Sequence, residues 1–152
     1  MDYGVRRART SDVLAIRALV DANVNSGRLL DKATVTLYED IQEFWVATTP
    51  DREIAGCGAL HVMWEDLAEM RTLAVSSDHQ GRGAGNLIVA ALLDTAREVG
   101  VSRVFVLTFA VEFFRKHTAL PRSLGRRPLP RCMPSCCALM TRASLSSSIS
   151  TE

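Results

Sequence analysis

One six-residue segment, Gln80-Gly81-Arg82-Gly83-Ala84-Gly85, has the composition of a phosphate-binding loop. It follows an alternating strand pattern over residues 69–75 and precedes an amphipathic pattern that predicts a helix over residues 86–99. Glycines let successive backbone N–H groups turn toward one point, and a helix N-terminus adds about half a positive charge. The segment therefore predicts a site for an anionic phosphate group.

The spacing of the glycines excludes two common nucleotide-binding loops. A dinucleotide loop needs a third glycine where this chain has Asn86 or Ile88, and no Lys followed by Ser or Thr completes a Walker loop. The pattern that remains, Gln-x-x-Gly-x-Gly, resembles the pyrophosphate loop of the GCN5-related N-acetyltransferase superfamily. A glycine-rich turn without a ligand stays open as the alternative.

This resemblance implies acetyl-CoA as cosubstrate and no metal. It places the pyrophosphate on residues 80–85 and the pantetheine arm on the backbone of the preceding strand, at Leu73, Ala74 and Val75.

Further blocks resemble the acetyltransferase domain of the amino-acid N-acetyltransferases, the N-acetylglutamate synthases, in their short bacterial form. The blocks are Gly56-Cys57-Gly58-Ala59-Leu60, Glu69 to Val75, and Phe105-Val106-Leu107-Thr108 followed by Phe113-Phe114. The resemblance covers about residues 4–117. It implies acetyl transfer to the α-amine of L-glutamate, the first step of arginine biosynthesis. Another amino acid or small amine as acceptor, or a catalytically impaired acyl-CoA-binding module, stays open.

Acetyl transfer to an amine needs a base, an oxyanion donor and a proton for the leaving thiolate. The resemblance makes Glu69 the candidate base, directly or through water, and a backbone N–H such as that of Leu73 the oxyanion donor. Many superfamily members place a proton-donating tyrosine where this chain has Phe113 or Phe114. The alternatives for this proton donor are water and a thiol such as Cys57, or coenzyme A leaves as thiolate without a donor.

The carboxylates of an amino-acid acceptor call for fixed cations. Lys32 is the first candidate, because the family places part of its acceptor site in this region, and Arg28 and Arg71 are the others. No histidine stands at metal-ligand spacing from acids or cysteines, and the tail cysteines lack a second ligand pair, so we expect no metal site.

The elements that must position these residues alternate along the first 117 residues. Hydrophobic periodicity predicts the order strand, helix, helix, three strands, helix, strand, helix, with the second strand at residues 44–48 and the last helix starting over 111–117. The second helix has an apolar pattern of Val35, Tyr38 and Ile41, and the apolar run 104–107 predicts a central strand buried on both faces.

Strict alternation in the strand 69–75 predicts Glu69, Arg71, Leu73 and Val75 on one face. The fold class is α/β of the α+β kind: a mixed, mostly antiparallel sheet flanked by helices, the acyl-CoA N-acetyltransferase fold, lacking its last strands.

Composition divides the chain at His117. Residues 1–117 carry thirteen Lys and Arg against sixteen Asp and Glu, whereas residues 118–152 carry five Arg and one Glu. The tail also holds four of the five prolines and three of the four cysteines. We expect an N-acetyltransferase domain at 1–117, C-terminally incomplete, and an atypical Arg/Pro/Ser/Cys-rich tail at 118–152, disordered or translated from a shifted frame.

The whole chain of 152 residues has a net charge of +1, which argues against a nucleic-acid or membrane-surface partner. Its longest apolar run, at residues 87–93, is shorter than the roughly 20 residues of a membrane-spanning helix. We expect a cytoplasmic protein with a small amino-acid substrate. The oligomeric state stays open, a homodimer included.

Overall fold

The computed structural model describes residues 2–25, 29, 32–108 and 112–114, together with the backbone of residues 137–142. Its strands form one sheet in chain order and are β1 (Gly4–Arg7), β2 (Phe44–Thr48), β3 (Ile54–Trp64), β4 (Leu67–Val75), β5 (Arg103–Thr108) and β6 (Cys137–Arg142). The helices are α1 (Val13–Asn25), α2 (Thr34–Glu39) and α3 (Ala84–Val99). Short 3-10 turns cover Thr10–Asp12, Ile41–Glu43 and Ser77–His79.

Neighbouring strands run antiparallel except β4 and β5, which are parallel. A parallel pair needs a long crossover, and α3 provides it. This confirms the predicted class, a mixed and mostly antiparallel sheet flanked by helices.

The two long helices cover opposite faces of the sheet. Helix α1 buries Val13, Ile16 and Val20 in one apolar cluster with Phe44, and α3 buries its apolar stripe in the other. The predicted stripe on α3 is confirmed at Ile88, Leu92 and Ala96 but is wrong at Val99, which is 58% exposed. Val99 is the last residue of the helix, next to Gly100, whose left-handed backbone ends it.

Two other burial predictions need correction. In α2 the buried residue is Leu37, whereas Val35 and Tyr38 are exposed, because this helix has only six residues and a 3-10 turn of different pitch follows it. In β5, predicted to be buried on both faces, Val104 and Val106 pack beneath α3 while Leu107 on the other face is exposed.

A bulge in β4 changes which of its side chains share a face. Ala59 pairs with Arg71 and Cys57 with Ala74, so β4 has one extra residue here, and Thr72 adopts a left-handed φ of 55°. Leu73 therefore packs in the cluster beneath α3, whereas Arg71 contacts residues that follow α2. The prediction that Glu69, Arg71, Leu73 and Val75 share one face is wrong beyond Arg71. Gly58 lies opposite the bulge, where a Cβ would be 2.8 Å from Ile88.

The tail supplies the sixth strand. Residues 137–142 pair antiparallel with β5, from Arg103–Arg142 to Thr108–Cys137. The expected loss of the last strands is therefore wrong for this strand. Backbone pairing with an open sheet edge needs no apolar periodicity, which is why the sequence pattern missed it. Residues 112–114 are helical, and the rest of the helix predicted over 111–117 lies outside the described residues.

Candidate functional site

Strands β4 and β5 part after a short stretch of pairing. Their parallel register ends at Met70 and Val106, and residues 71–75 continue along β3 alone. Among the described residues, no strand pairs with the other edge of this segment. An extended ligand with amide groups can hydrogen-bond to such an edge. The residues predicted to face pantetheine lie on this segment: Leu73, Ala74 and Val75.

The glycine-rich loop connects this open edge to the N-terminus of α3. Gln80 donates a hydrogen bond from Nε2 to the Val75 carbonyl at 3.3 Å, which ties the loop to the strand end. Gly81 and Gly83 have φ of 72° and 95°, a conformation that favours glycine. Within the described part of the chain, the N–H groups of residues 81–85 have no hydrogen-bond acceptor. Free amides at the positive end of a helix are a phosphate site.

The remaining loop residues differ in exposure. Arg82 is exposed beside the free amides, and Ala84 is buried. Gly85 is buried against the segment 112–114, since a Cβ there would lie 3.1 Å from the Phe113 ring. The rings of Phe113 and Phe114 are in edge-to-face contact, with their centroids 5.1 Å apart, and both pack with the core beneath α3. Neither can donate a proton, so they shape the site by packing.

On the sheet face opposite α3, five side chains form what we call the polar cluster: Lys32, Asp40, Glu43, His61 and Arg71. Arg71 Nη2 donates to Asp40 Oδ2 and to Glu43 Oε2, each at 3.1 Å. Lys32 Nζ donates to the same Asp40 Oδ2 at 2.9 Å. Two of the three predicted acceptor-binding cations are thus brought together by one carboxylate, while Arg28 lies outside the described residues.

The polar cluster is shielded from water, and one of its N–H groups lacks a hydrogen-bond acceptor among the described residues. The side chains of Lys32, Asp40 and Arg71 are 19%, 20% and 23% exposed, so their charges interact more strongly than on an open surface. Arg71 Nε is buried and has no hydrogen-bond partner in the described structure. A buried N–H without an acceptor is unfavourable, so this arrangement can take a further acceptor group.

Glu69 lies beside the polar cluster. It precedes Met70, the last residue of β4 that pairs with β5, and stands directly opposite His61 in the β3–β4 ladder. Glu69 is half-buried, and its side chain forms no hydrogen bond or ion pair with any residue that the structure describes. Because Glu69 and Arg71 are two apart on a strand, both point to the face of the cluster.

Three members of the cluster were missed by sequence reasoning: Asp40, Glu43 and His61. The His61 Nδ1 atom is 2.7 Å from Glu43 Oε1 and 3.0 Å from Arg71 Nη2. Trp64 pairs with Leu67 across a two-residue turn, but the register shifts between Val62 and Trp64, and this irregularity brings His61 opposite Glu69. A regular hairpin built on that turn would place His61 opposite Met70, so no signal in the sequence predicted this neighbour.

Cys57 is a poor donor for the leaving thiolate. Its side chain is fully buried, with Sγ 3.7 Å from the Thr72 carbonyl, and burial raises the pKa of the thiol to about 12. Such a thiol holds its proton more tightly than an ordinary thiol does. The remaining alternatives are that water donates the proton to the leaving sulfur or that coenzyme A departs as thiolate.

The described residues contain no group of three or more His, Cys, Asp or Glu side chains that could hold a metal ion. Nor does the described part of the chain include a helix whose length and apolar character would let it span a bilayer.

Residues 17–118 match the Acetyltransferase (GNAT) family. The chain belongs to this family. It is 56% identical over 115 residues to the amino-acid acetyltransferase of Mycobacterium tuberculosis, and the match covers 74% of this chain and 66% of that relative. It is 35% identical over 105 residues to the amino-acid acetyltransferase of Neisseria meningitidis, covering 68% of this chain but 24% of the relative.

Two solved structures extend the comparison. A Mycobacterium tuberculosis protein crystallised with CoA and NLQ superimposes with a TM-score of 0.71 at 56% identity, over 75% of this chain and 69% of that one. The N-acetylglutamate synthase of Neisseria gonorrhoeae, complexed with coenzyme A and N-acetyl-glutamate, gives a TM-score of 0.82 at 28% identity. That match covers 95% of this chain and 36% of the synthase.

Proposed function

We propose that this GNAT-family chain transfers the acetyl group of acetyl-CoA to the α-amine of L-glutamate. One observation carries the proposal: the free amides of residues 81–85, the open edge of β4 and the polar cluster follow one another around the gap between β4 and β5. A ligand with a pyrophosphate, an amide-bearing arm and a reactive end fits that succession. The amino-acid acetyltransferases among its relatives support it.

The loop residues 80–85 bind the pyrophosphate, with Arg82 adding a cation, and Leu73, Ala74 and Val75 bind the pantetheine arm through their backbone. The bulge at Thr72 interrupts the ladder next to the open edge, so a backbone N–H of this segment, such as that of Leu73, is available to the acetyl oxygen. Donors fixed in advance at that oxygen stabilise the charge that develops during transfer.

On the acceptor side, Lys32 and Arg71 bind carboxylate, and Arg28 is a third cation in the same role. Glu69 is the carboxylate nearest the point where β4 and β5 part, and it acts as a base toward the amine, directly or through water. Because the chain supplies no donating side chain at Phe113 or Phe114, coenzyme A leaves as thiolate and takes its proton from the medium or from the amine.

One observation favours glutamine as a second acceptor. Lys32 and Arg71 already face Asp40, and with Glu43 and Glu69 the described residues of the site comprise three carboxylates for two cations. A carboxamide side chain both donates and accepts hydrogen bonds and adds no negative charge, so it suits this surrounding.

The test measures thiol release from acetyl-CoA with a panel of amino acids as acceptors, and polyamines serve as negative controls. The proposal predicts saturable release with glutamate, and a glutamate-to-glutamine ratio of kcat/KM that identifies the acceptor. Release that no amino acid accelerates, with acetyl-CoA nevertheless bound, would leave the chain as an acyl-CoA-binding module.

We further propose that the reaction is the first step of arginine biosynthesis, the acetylation of glutamate, and that it takes place in the cytosol. We keep a domain boundary at residue 117 and a shifted reading frame over 118–152 as proposals. Sequencing the coding DNA across codon 118 tests the frame, because an alternative frame must encode a strand-forming continuation.

A further inference from the structure

We propose that His61 and Glu43 form a proton-accepting pair in the acetyl transfer, with His61 Nε2 as the atom that takes a proton from the acceptor ammonium. This inference rests on the proposed function and deepens it. It assigns a catalytic residue, His61, and a positioning residue, Glu43, in addition to Glu69.

The position of the ring proton follows from the contacts of Nδ1. Glu43 Oε1 lies 2.7 Å away, and two atoms with facing lone pairs would repel at that separation, so Nδ1 carries a hydrogen and donates it to Glu43. Arg71 Nη2, 3.0 Å from Nδ1, has two hydrogens of its own, and the carboxylates of Asp40 and Glu43 accept them. The neutral ring then bears its lone pair on Nε2.

The Nε2 atom is free to accept a proton. It has no hydrogen-bond partner in the described structure, and the His61 side chain is 36% exposed, so the proton can pass on to water. A carboxylate that holds one ring nitrogen fixes the tautomer and stabilises the imidazolium that forms. Glu43 has this relation to His61, and Arg71 in turn holds Glu43 Oε2 at 3.1 Å.

His61 is also placed at the reacting end of the site. It stands opposite Glu69 in the β3–β4 ladder, and side chains directly opposite in an antiparallel pair have Cβ atoms about 5 Å apart. Glu69 in turn lies one residue before the end of the β4–β5 pairing. The acceptor amine between Glu69 and the open edge is therefore within reach of the imidazole.

The chemistry gives each group a separate proton. An amino-acid acceptor arrives mainly as ammonium, which has no lone pair for attack. His61 Nε2 accepts one proton from it and releases that proton to water. The freed amine forms the C–N bond to the thioester carbon, the C–S bond breaks, and the second nitrogen proton passes through Glu69 to the departing thiolate. The products are the acetamide, coenzyme A as thiol, and one proton in solution.

The charged and titratable groups that face His61 come from three surrounding segments. Strand β4 contributes Glu69 and Arg71, the 3-10 turn after α2 contributes Glu43, and Asp40 with Lys32 completes the network. Any pH effect assigned to His61 must be separated from these groups, which is why the test uses chemical rescue as well as a pH profile.

The test compares the full chain with H61A, with H61N, which keeps an N–H donor toward Glu43 but has no basic nitrogen, and with E43Q. Met63→Ala is the matched control, on the same strand, exposed, and outside the site. We expect kcat to fall about 10²-fold in H61A and H61N, because general acid–base catalysis contributes at least that factor, with acetyl-CoA binding kept. Free imidazole restores rate to H61A, and E43Q shows a smaller loss.

The outcomes separate the two proposals. Two results would overturn the role of His61 but leave the proposed function standing. One is an H61N variant that turns over within about threefold of the wild type. The other is an H61A variant that binds acetyl-CoA, keeps the wild-type pH profile and is not rescued by imidazole. If H61A does not fold, H61N decides by its kcat, which must fall about 10²-fold while acetyl-CoA binding is kept. A wild-type chain without acceptor-dependent thiol release would overturn the proposed function and this role together.

Discussion

Arg71 on β4 donates a hydrogen bond through Nη2 to the Asp40 carboxylate at 3.1 Å, and so joins the central strand to the residue that follows α2. The same Asp40 oxygen accepts from Lys32 Nζ. One carboxylate therefore fixes two cations that are 39 positions apart in the sequence. In the proposed reaction these cations bind the acceptor, so Asp40 determines where the acceptor lies without touching the acetyl group.

Replacing Asp40 with Asn should weaken acceptor binding. The amide keeps the shape but removes the charge that holds Lys32 and Arg71, and charge-assisted hydrogen bonds of this kind contribute about 1.5–3 kcal/mol. We expect KM for the acceptor to rise about tenfold or more, with KM for acetyl-CoA unchanged. Steady-state kinetics with each substrate varied in turn measures both.

The matched control is Asp94→Asn, which removes an exposed ion pair with Arg97 on α3. It should leave both KM values unchanged. An equal rise of both KM values in Asp40→Asn would mean that the variant disturbs the fold, and an unchanged acceptor KM would contradict the acceptor role of the cluster.

Gly83→Ala tests the phosphate loop. Gly83 has φ of 95°, and an L-residue pays about 1–2 kcal/mol for a left-handed conformation, so the loop should relax and its free amides diverge. We expect the dissociation constant for acetyl-CoA, measured by calorimetric titration, to rise at least tenfold.

Gly100→Ala provides the control for backbone strain. Gly100 ends the same helix with a similar φ of 89°, and a Cβ at either glycine meets no other described atom within 4 Å. Gly100→Ala should lower the melting temperature as Gly83→Ala does but leave acetyl-CoA binding intact. Equal loss of binding in both would show that strain in α3, rather than the loop, is responsible.

Helix α3 and strand β2 could be predicted from sequence because local signals agree there. Phe44–Thr48 is a continuous apolar and β-branched run before a proline turn, and α3 has a regular apolar stripe that ends at Gly100. The strand was predicted with its observed bounds, and the helix within two residues of its start.

The polar cluster and the bulge depend on contacts between distant segments. No local pattern marks Thr72 as the point where β4 changes face. Its conformation follows from the pairing of Arg71 with Ala59 and of Ala74 with Cys57, which leaves Thr72 in the bulge between them. Lys32 and Arg71 were chosen as cations, but the carboxylates that hold them come from the segment after α2, and only the fold brings these segments together. The same holds for β6, which pairs through backbone alone.

Asp12 should make stability depend on pH. Its carboxylate accepts from Arg6 at 2.7 and 3.0 Å and from the Arg9 backbone N–H at 2.7 Å, and the hydrogen bond from Arg6 lowers the pKa of Asp12 below its ordinary value. A lowered folded-state pKa means that the native state binds fewer protons than the unfolded state. The stabilisation is thus complete above the ordinary carboxyl pKa and is lost as pH falls toward the folded value.

We therefore expect Asp12→Asn to lower the melting temperature by several degrees near neutral pH, since a hydrogen bond to a charged group contributes about 1.5–3 kcal/mol. The difference from the wild type should narrow as the pH falls below about 4. Thermal unfolding across this pH range measures it, and a difference that stays constant would contradict the account.

Cys57 should be unreactive in the folded protein. It is fully buried, and burial raises the pKa of its thiol to about 12, whereas alkylating reagents attack the thiolate. Iodoacetamide labelling followed by peptide mapping should find Cys57 unmodified in native protein and modified in denaturant. Rapid native labelling of Cys57 would place this thiol in contact with solvent and restore it as a candidate proton donor.

The central claim is that the acetyl group passes from acetyl-CoA to the α-amine of an amino acid bound beside β4. Carbon-13 NMR of the reaction with acetyl-CoA labelled at the carbonyl carbon follows that group directly. The account predicts that, with glutamate present, the thioester signal is replaced by the amide signal of N-acetylglutamate. A label that stays in the thioester, or appears only as free acetate, with every amino acid offered would contradict it.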